Sequence, residues 1–234
     1  MRNTPNLNEH ANDTPKIQPP SSRPLVVVLD AMGVIYKSGD DVGELLIPFA
    51  REKGCSLSDA DITKIYTECS LGRFTSAEFW NRLGIPAHKG DLDREYLQRH
   101  SLSPGLLPFL ASMQKNGVSV GCISNDISEW SLQLRRSFKL EHYFFNWTIS
   151  GDVRTRKPDT GIYEHFLRST EIPAQRCVFI DDRKKNLDAA RGLSFQTLYF
   201  STDCSETGSH DVVANFNELQ RRIDALIRVP KINQ

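Results

Sequence analysis

Four short polar groups in this chain each stand just beyond a stretch that reads as a β-strand: Asp30, the pair Ser124-Asn125, Lys157 ahead of Pro158, and the pair Asp181-Asp182. Carboxylates, a lysine and a hydroxyl gathered in one place suit a divalent cation held beside a phosphate. Singly, each has an ordinary explanation. Asp30 could cap a turn, Ser124-Asn125 could cap a helix, and Lys157 could be a surface lysine. Their common position is what carries information. The carboxyl ends of parallel strands line up along one edge of a sheet, where open α/β folds bind ligands.

The elements that must place these groups are legible from pattern. Leu25–Leu29 is a Val-rich apolar run leading into Asp30, as expected of a central parallel strand. Gly33 then allows a tight backbone turn. The runs Val118–Ser124, Trp147–Ser150, Cys177–Ile180 and Phe195–Phe200 read as four further strands. Amphipathic helices are expected between them: 104–117, Asp126–Lys139, Asp159–Thr170 and Arg183–Arg191, with Phe216–Ile227 closing the chain. Strands alternating with helices predict a five-stranded parallel sheet covered on both faces.

Residues 37–100 break this rhythm and read as helix alone. The stretch Asp41–Lys53 is shortened or kinked by Pro48. Ser58 with Asp61, and Thr75 with Glu78, have the spacing of capping boxes. Ile62, Ile65, Tyr66 and Cys69 share one helical face. The expected organisation is a disordered leader over 1–23, an α/β core over 24–36 and 101–228, a small helical insertion over 37–100, and a tail over 229–234.

Composition narrows the function classes. Lys+Arg and Asp+Glu both number 29 in 234 residues, so the formal net charge is zero. A general attraction to nucleic acid or to anionic membrane is not expected. Five scattered cysteines give neither a disulfide framework nor zinc spacing. No apolar run approaches the roughly 20 residues of a membrane span, and the N-terminus has no apolar secretory core. The expected setting is cytoplasmic.

The motifs Leu-Asp-Ala-Met-Gly-Val, Cys-Ile-Ser-Asn-Asp, Arg-Lys-Pro-Asp and Phe-Ile-Asp-Asp-Arg-Lys-Lys-Asn resemble, in this order, those of the haloacid dehalogenase superfamily of phosphatases and related hydrolases. The resemblance covers roughly residues 24–228, and the helical insertion resembles that family's C1 cap. It implies a Rossmann-like three-layer core and Mg²⁺-dependent hydrolysis of a small phosphorylated metabolite. Asp30 would be the nucleophile that forms an aspartyl-phosphate. Ser124 and backbone N–H groups around Asn125 would hold phosphate oxygens. Lys157 would balance charge at Asp30 and on the transferring group. Asp30, Asp181, Asp182 and the backbone carbonyl of Met32 would ligate Mg²⁺.

One position departs from the family pattern. Most phosphatases of the family carry a second Asp two residues after the nucleophile, as general acid and base. Met32 stands there and can do neither. Such a group contributes roughly 10²–10⁴-fold. Three readings stay open: phosphoryl transfer with a good leaving group or an acid from the insertion; C–X or C–P bond hydrolysis, as in the family's dehalogenases and phosphonatases; and a binding or regulatory module without turnover. A phosphonatase would need an insertion lysine, for which Lys53, Lys64 and Lys89 are available. Arg73, in the turn Gly72-Arg73-Phe74-Thr75, is the candidate grip on a second substrate anion. His88, His100 and His142 are candidate stand-in acids, and Tyr36 could line the pocket entrance. Trp80, Trp130 and Trp147 fit core packing.

Overall fold

A computed structural model describes residues 25–85, 91–202 and 209–228. The expected leader and tail, His88, Lys89 and Cys204 lie outside the described residues. Six strands form the sheet: β1 (Val26–Leu29), β2 (Ser119–Ser124), β3 (Phe144–Ile149), β4 (Cys177–Asp181), β5 (Gln196–Phe200) and β6 (Asp211–Val213). All pair in parallel, in the order β3-β2-β1-β4-β5-β6. The sheet therefore has six strands rather than the expected five. β6 is only three residues long, too short for an apolar period to declare it. β3 begins at Phe144, ahead of the expected Trp147, because Asn146 interrupts the apolar pattern.

β1 lies between β2 and β4 and is buried on both faces. Its residues alternate, as strand geometry requires. Val27 and Leu29 enter one apolar layer and Val26 and Val28 the other. The second layer is closed by α7 (Thr160–Thr170) and α8 (Lys184–Gly192), through Ile162, Tyr163, Phe166 and Leu187. The first is continuous with the segment between β1 and α5 (Leu106–Lys115), which is helical: a single π-helical turn (Val42–Leu46), α1 (Ile47–Glu52), α2 (Asp59–Cys69), α3 (Ser76–Arg82) and α4 (Leu92–Leu97). Pro48 is the second residue of α1, directly after the π-helical turn, and does not end the helical run. Thr75 and Glu78 form a complete capping box, and Ser58 accepts from the Asp61 amide.

This segment leaves and rejoins the sheet at one place. Lys37 N–H donates to Ser101 (3.0 Å) and Ser103 N–H to Ile35 (3.0 Å). It is pinned over the strand ends by Trp130 of α6 (Ser128–Ser137), whose ring packs 4.6 Å from Tyr96 and 5.2 Å from Phe79. The Asp93 carboxylate accepts from the indole N–H groups of both Trp80 and Trp130, each at 2.7 Å, and from Ser76 Oγ at 2.6 Å. Asp93→Ala would strand two donors on buried rings, at about 1–3 kcal/mol each. The expected result is a lower urea midpoint with an unchanged slope. An unchanged midpoint would show that the aromatic packing alone holds the segment. No helix among the described residues is long and apolar enough to cross a membrane.

Candidate active site

The strand order reverses at β1, and the acidic groups collect there. Register sets Leu29 beside Ile180, so the next residues, Asp30 and Asp181, emerge side by side. Asp30 N–H donates to the Ile180 carbonyl at 2.9 Å, which fixes the Asp30 backbone to β4. Its Oδ1 accepts from the Ala31 amide at 2.6 Å. The chain then doubles back: Gly33 N–H donates to Tyr36 and Tyr36 N–H to Ala31. Gly33 has φ +82°, and a Cβ there would lie 2.2 Å from Asp182 Oδ2. Both the turn and the close approach require glycine.

Lys157 is the centre of the cluster. Its Nζ lies 2.6 Å from Asp30 Oδ1 and 2.7 Å from Asp181 Oδ2, and the residue is only 3% exposed. Asn125 holds it there. Asn125 Oδ1 accepts from Lys157 N–H at 2.7 Å, and Asn125 Nδ2 donates to the Lys157 carbonyl at 2.9 Å, just ahead of the cis Lys157–Pro158 bond. The Asn125 amide is thus committed to the lysine backbone. Asp181 is fully buried, and its carboxylate also accepts from Arg183 N–H at 2.8 Å and from Asn186 Nδ2 at 3.0 Å. Three side-chain oxygens here are buried without a hydrogen-bond partner: Ser124 Oγ, Asp182 Oδ1 and Asn186 Oδ1.

The donor set fits a divalent cation. Asp30, Asp181 and Asp182 can each turn one oxygen to within 4.8 Å of the others. Three carboxylates share the Lys157 ammonium, with only the half-exposed Arg183 guanidinium 4.0 Å from Asp182 to add to it, and a hard divalent ion with oxygen ligands balances the remaining negative charge. Without such an ion, burial and then the Asp181 carboxylate push the Asp30 carboxyl well up, with Lys157 opposing. Asp182 is raised to about 6 by burial and by Asp181. Burial works against the Lys157 ammonium, but Asp181 and Asp30 together raise its pKa, so it stays charged.

A cavity of about 300 Å³ opens in front of this cluster. Asp30, Met32, Asn125 and Lys157 form its floor. Thr63, Tyr66 and Thr67 of α2 roof it, and Asp41, Arg156 and Arg183 stand on its sides. Tyr66 O–H donates to the Asn125 carbonyl at 3.3 Å, tying roof to floor. Sequence reasoning missed Asp41, Tyr66, Arg156, Arg183 and Asn186. Their signal was modest: Arg156 and Arg183 adjoin Lys157 and Asp182, and Asp41 closes a Gly-Asp-Asp triplet where the helical segment begins.

Several expected candidates sit elsewhere. Arg73 pairs with Glu68 at 2.7 Å and borders a separate hollow with Leu71, Gly72 and Arg154. Gly72 sets this direction, because its Cα packs against the Gly151 carbonyl, where a Cβ would lie at 2.2 Å. His100 packs edge-on against Tyr36 and Tyr96 and borders another cavity; burial lowers it to about 4 and keeps it neutral. His142 is exposed against Tyr143. Tyr36 is buried between His100 and Phe138. Lys53 pairs with Glu95, and Lys64 is exposed on α2. Asp182 does not line the cavity in front of the cluster; it borders a second one of about 550 Å³, with Gly33, Tyr199 and Phe200.

Comparison with known proteins agrees with this arrangement. The family model of haloacid dehalogenase-like hydrolases matches residues 25–193. A phosphoglycolate phosphatase of Pseudomonas savastanoi pv. phaseolicola is 30% identical over 102 residues, 42% of this chain and 37% of that enzyme. The chain thus matches little more than a third of that relative's length. In fold, it is similar to a phosphatase of the family from Thermococcus onnurineus (TM-score 0.63, 16% identity, covering 88% of this chain and all of that one). It is similar also to a family enzyme from Bacteroides thetaiotaomicron in complex with magnesium and inorganic phosphate (TM-score 0.63, 19% identity, 78% and 97%). With more than half of its length matched by the family model and its carboxylates and lysine gathered at the reversal of the sheet, this chain belongs to the haloacid dehalogenase-like hydrolases.

Proposed function

We propose that the protein is a Mg²⁺-dependent phosphatase that transfers the phosphoryl group of a small monoester to Asp30 and then to water. The observation that carries this reading is the Lys157 ammonium, which spans Asp30 and Asp181 on the floor of the cavity. A carboxylate with a fixed cation beside it is an activated nucleophile whose charge is balanced as phosphorus is attacked. Asp30 Oδ forms the new bond to phosphorus while the bond to the leaving oxygen breaks, which gives an aspartyl-phosphate that water then hydrolyses. Ser124 Oγ, buried without a partner, would donate to a phosphate oxygen together with backbone N–H groups near Asn125. Asp30, Asp181, Asp182 and the Met32 carbonyl would hold Mg²⁺, which when bound neutralises charge on the phosphoryl oxygens. A cavity of about 300 Å³ favours a substrate of few atoms. The likeness to phosphoglycolate phosphatases makes a short phosphorylated hydroxy acid the first to try. Phosphate release from a panel including 2-phosphoglycolate and acetyl phosphate tests the reading. No release from any member would favour a binding module, and metal-free chloride release from a 2-haloacid would favour C–X hydrolysis.

Metal dependence has its own readout in stability. Asp182 is raised above its unfolded value, so its contribution is full below about pH 4 and is lost as pH rises through about 6. Mg²⁺ binds the ionised form, so it offsets that loss above pH 6. A thermal melt at pH 8 with Mg²⁺ at a hundred times its Kd at that pH is expected to gain about 2.7 kcal/mol, and the same Mg²⁺ concentration is used at pH 5. The gain should be larger at pH 8 than at pH 5 and much reduced in Asp182→Asn. An equal gain at both pH values would place the ion elsewhere.

A further inference from the structure

Met32 leaves the cavity without a proton donor at the position where most phosphatases of the family keep one. The cavity itself holds another acid. Asp41, at the start of the helical segment, lines it together with Asp30 and Lys157 of the sheet edge. It is only 5% exposed, although it is charged in type and follows the exposed Asp40. No ion pair of Asp41 is found among the described residues, whereas the other two cavity carboxylates differ from it: Asp30 is bound to Lys157, and Asp40 faces solvent.

We infer that Asp41 is the general acid and base of this site, the role that Met32 cannot fill. The inference rests on the phosphatase reading above and adds to it the source of the proton. In the first step the Asp41 carboxyl gives its proton to the bridging oxygen as that oxygen leaves phosphorus and Asp30 takes its place. In the second step the Asp41 carboxylate takes a proton from the water that attacks the aspartyl-phosphate. Asp30 is released, Asp41 is again protonated, and inorganic phosphate departs. One ester and one water give one alcohol and one phosphate, with no other reactant.

The surroundings of Asp41 suit a group that both gives and takes a proton near neutrality. Burial raises its carboxyl to about 7; Arg183 opposes this, Asp40 adds to it, and the amides of Val42 and of Asp41 itself oppose it. The other titratable and charged groups around it come from separate elements: Tyr66 from α2, Tyr96 from α4, Asp126 ahead of α6, and Arg156 across the cavity. The two tyrosines and Asp126 are all held to their protonated forms by burial first, with Asp41 adding to it.

The test uses the full-length protein with Mg²⁺ and two substrates, 2-phosphoglycolate, whose alkoxide leaves only with a proton, and acetyl phosphate, whose carboxylate leaves without one. In Asp41→Asn, kcat/KM for the first is expected to fall by roughly 10²–10⁴-fold relative to the second. The step near pH 7 in its pH profile should vanish. Activity on acetyl phosphate also shows that the variant is folded. An equal loss of kcat/KM, which reports the first step alone, on both substrates, or loss on neither with the pH profile unchanged, would overturn the role of Asp41 and leave the phosphatase reading standing. Inactivity of the wild-type protein on both would overturn the phosphatase reading and the role of Asp41 with it.

Discussion

Asp30→Asn is expected to abolish turnover, with phosphate release falling on the order of 10⁴–10⁶-fold, the range seen when a nucleophile is removed. The amide keeps the shape and can still accept from the Ala31 amide and from Lys157, so the loss is one of chemistry rather than of folding. The sign of the stability change supports that separation. Asp30 is raised above its unfolded value by burial and by Asp181, so its ionised form weakens the metal-free fold as pH rises. Removing that charge should leave metal-free protein at pH 8 as stable as wild type or more so. Beryllofluoride, which mimics a phosphoryl group on a carboxylate, should protect wild type against heat in the presence of Mg²⁺ and fail to protect the variant. A variant that retains turnover on the best substrate would mean that phosphorus is attacked from another residue or by water directly.

How much of this was legible in the sequence depended on whether position along the chain also fixed position in space. The ends of β1, β2 and β4 could be read because apolar runs stop at Asp30, Ser124 and Asp181, and parallel pairing puts such stops on one edge. Lys157 could be placed on that edge, but its burial could not be foreseen, since nothing local marks a lysine that will lose its water. Asn125 was assigned to phosphate through its neighbourhood, whereas its side chain is spent on the Lys157 backbone. Arg73 shows the opposite limit. A turn between two helices is readable, but the side it faces is set by the contact of Gly72 with Gly151, residues 79 apart in sequence. Asp41 was invisible for a related reason. In sequence it opens a helix, an ordinary place for an acid. Only the π-helical turn and the burial of Leu46 and Phe49 beneath it bring that opening onto the cavity wall.

The cluster around Lys157 bears on stability as strongly as on chemistry. Lys157→Met keeps the length and apolar stem of the side chain and deletes only the charge. Asp30 and Asp181 would then face each other with no cation between them, and Asp181 has no exposure through which water could help. Removing one partner of a buried ion pair costs about 3–5 kcal/mol, chiefly through the charge left behind. Here two carboxylates are left behind, so the upper part of that range is expected in metal-free protein at pH 8. Protonation of Asp30 relieves the repulsion: burial and Asp181 raise its carboxyl in the folded state, so it favours folding at low pH and ceases to do so as pH rises past its folded value. The deficit relative to wild type should therefore shrink when urea unfolding is repeated at pH 5. Mg²⁺ should restore part of it at pH 8, since a divalent ion brings the missing positive charge to the same oxygens. Equal stability of variant and wild type at pH 8 without Mg²⁺ would mean that the ammonium is not the counter-charge of this site. The activation of Asp30 by Lys157 would then lose its physical basis.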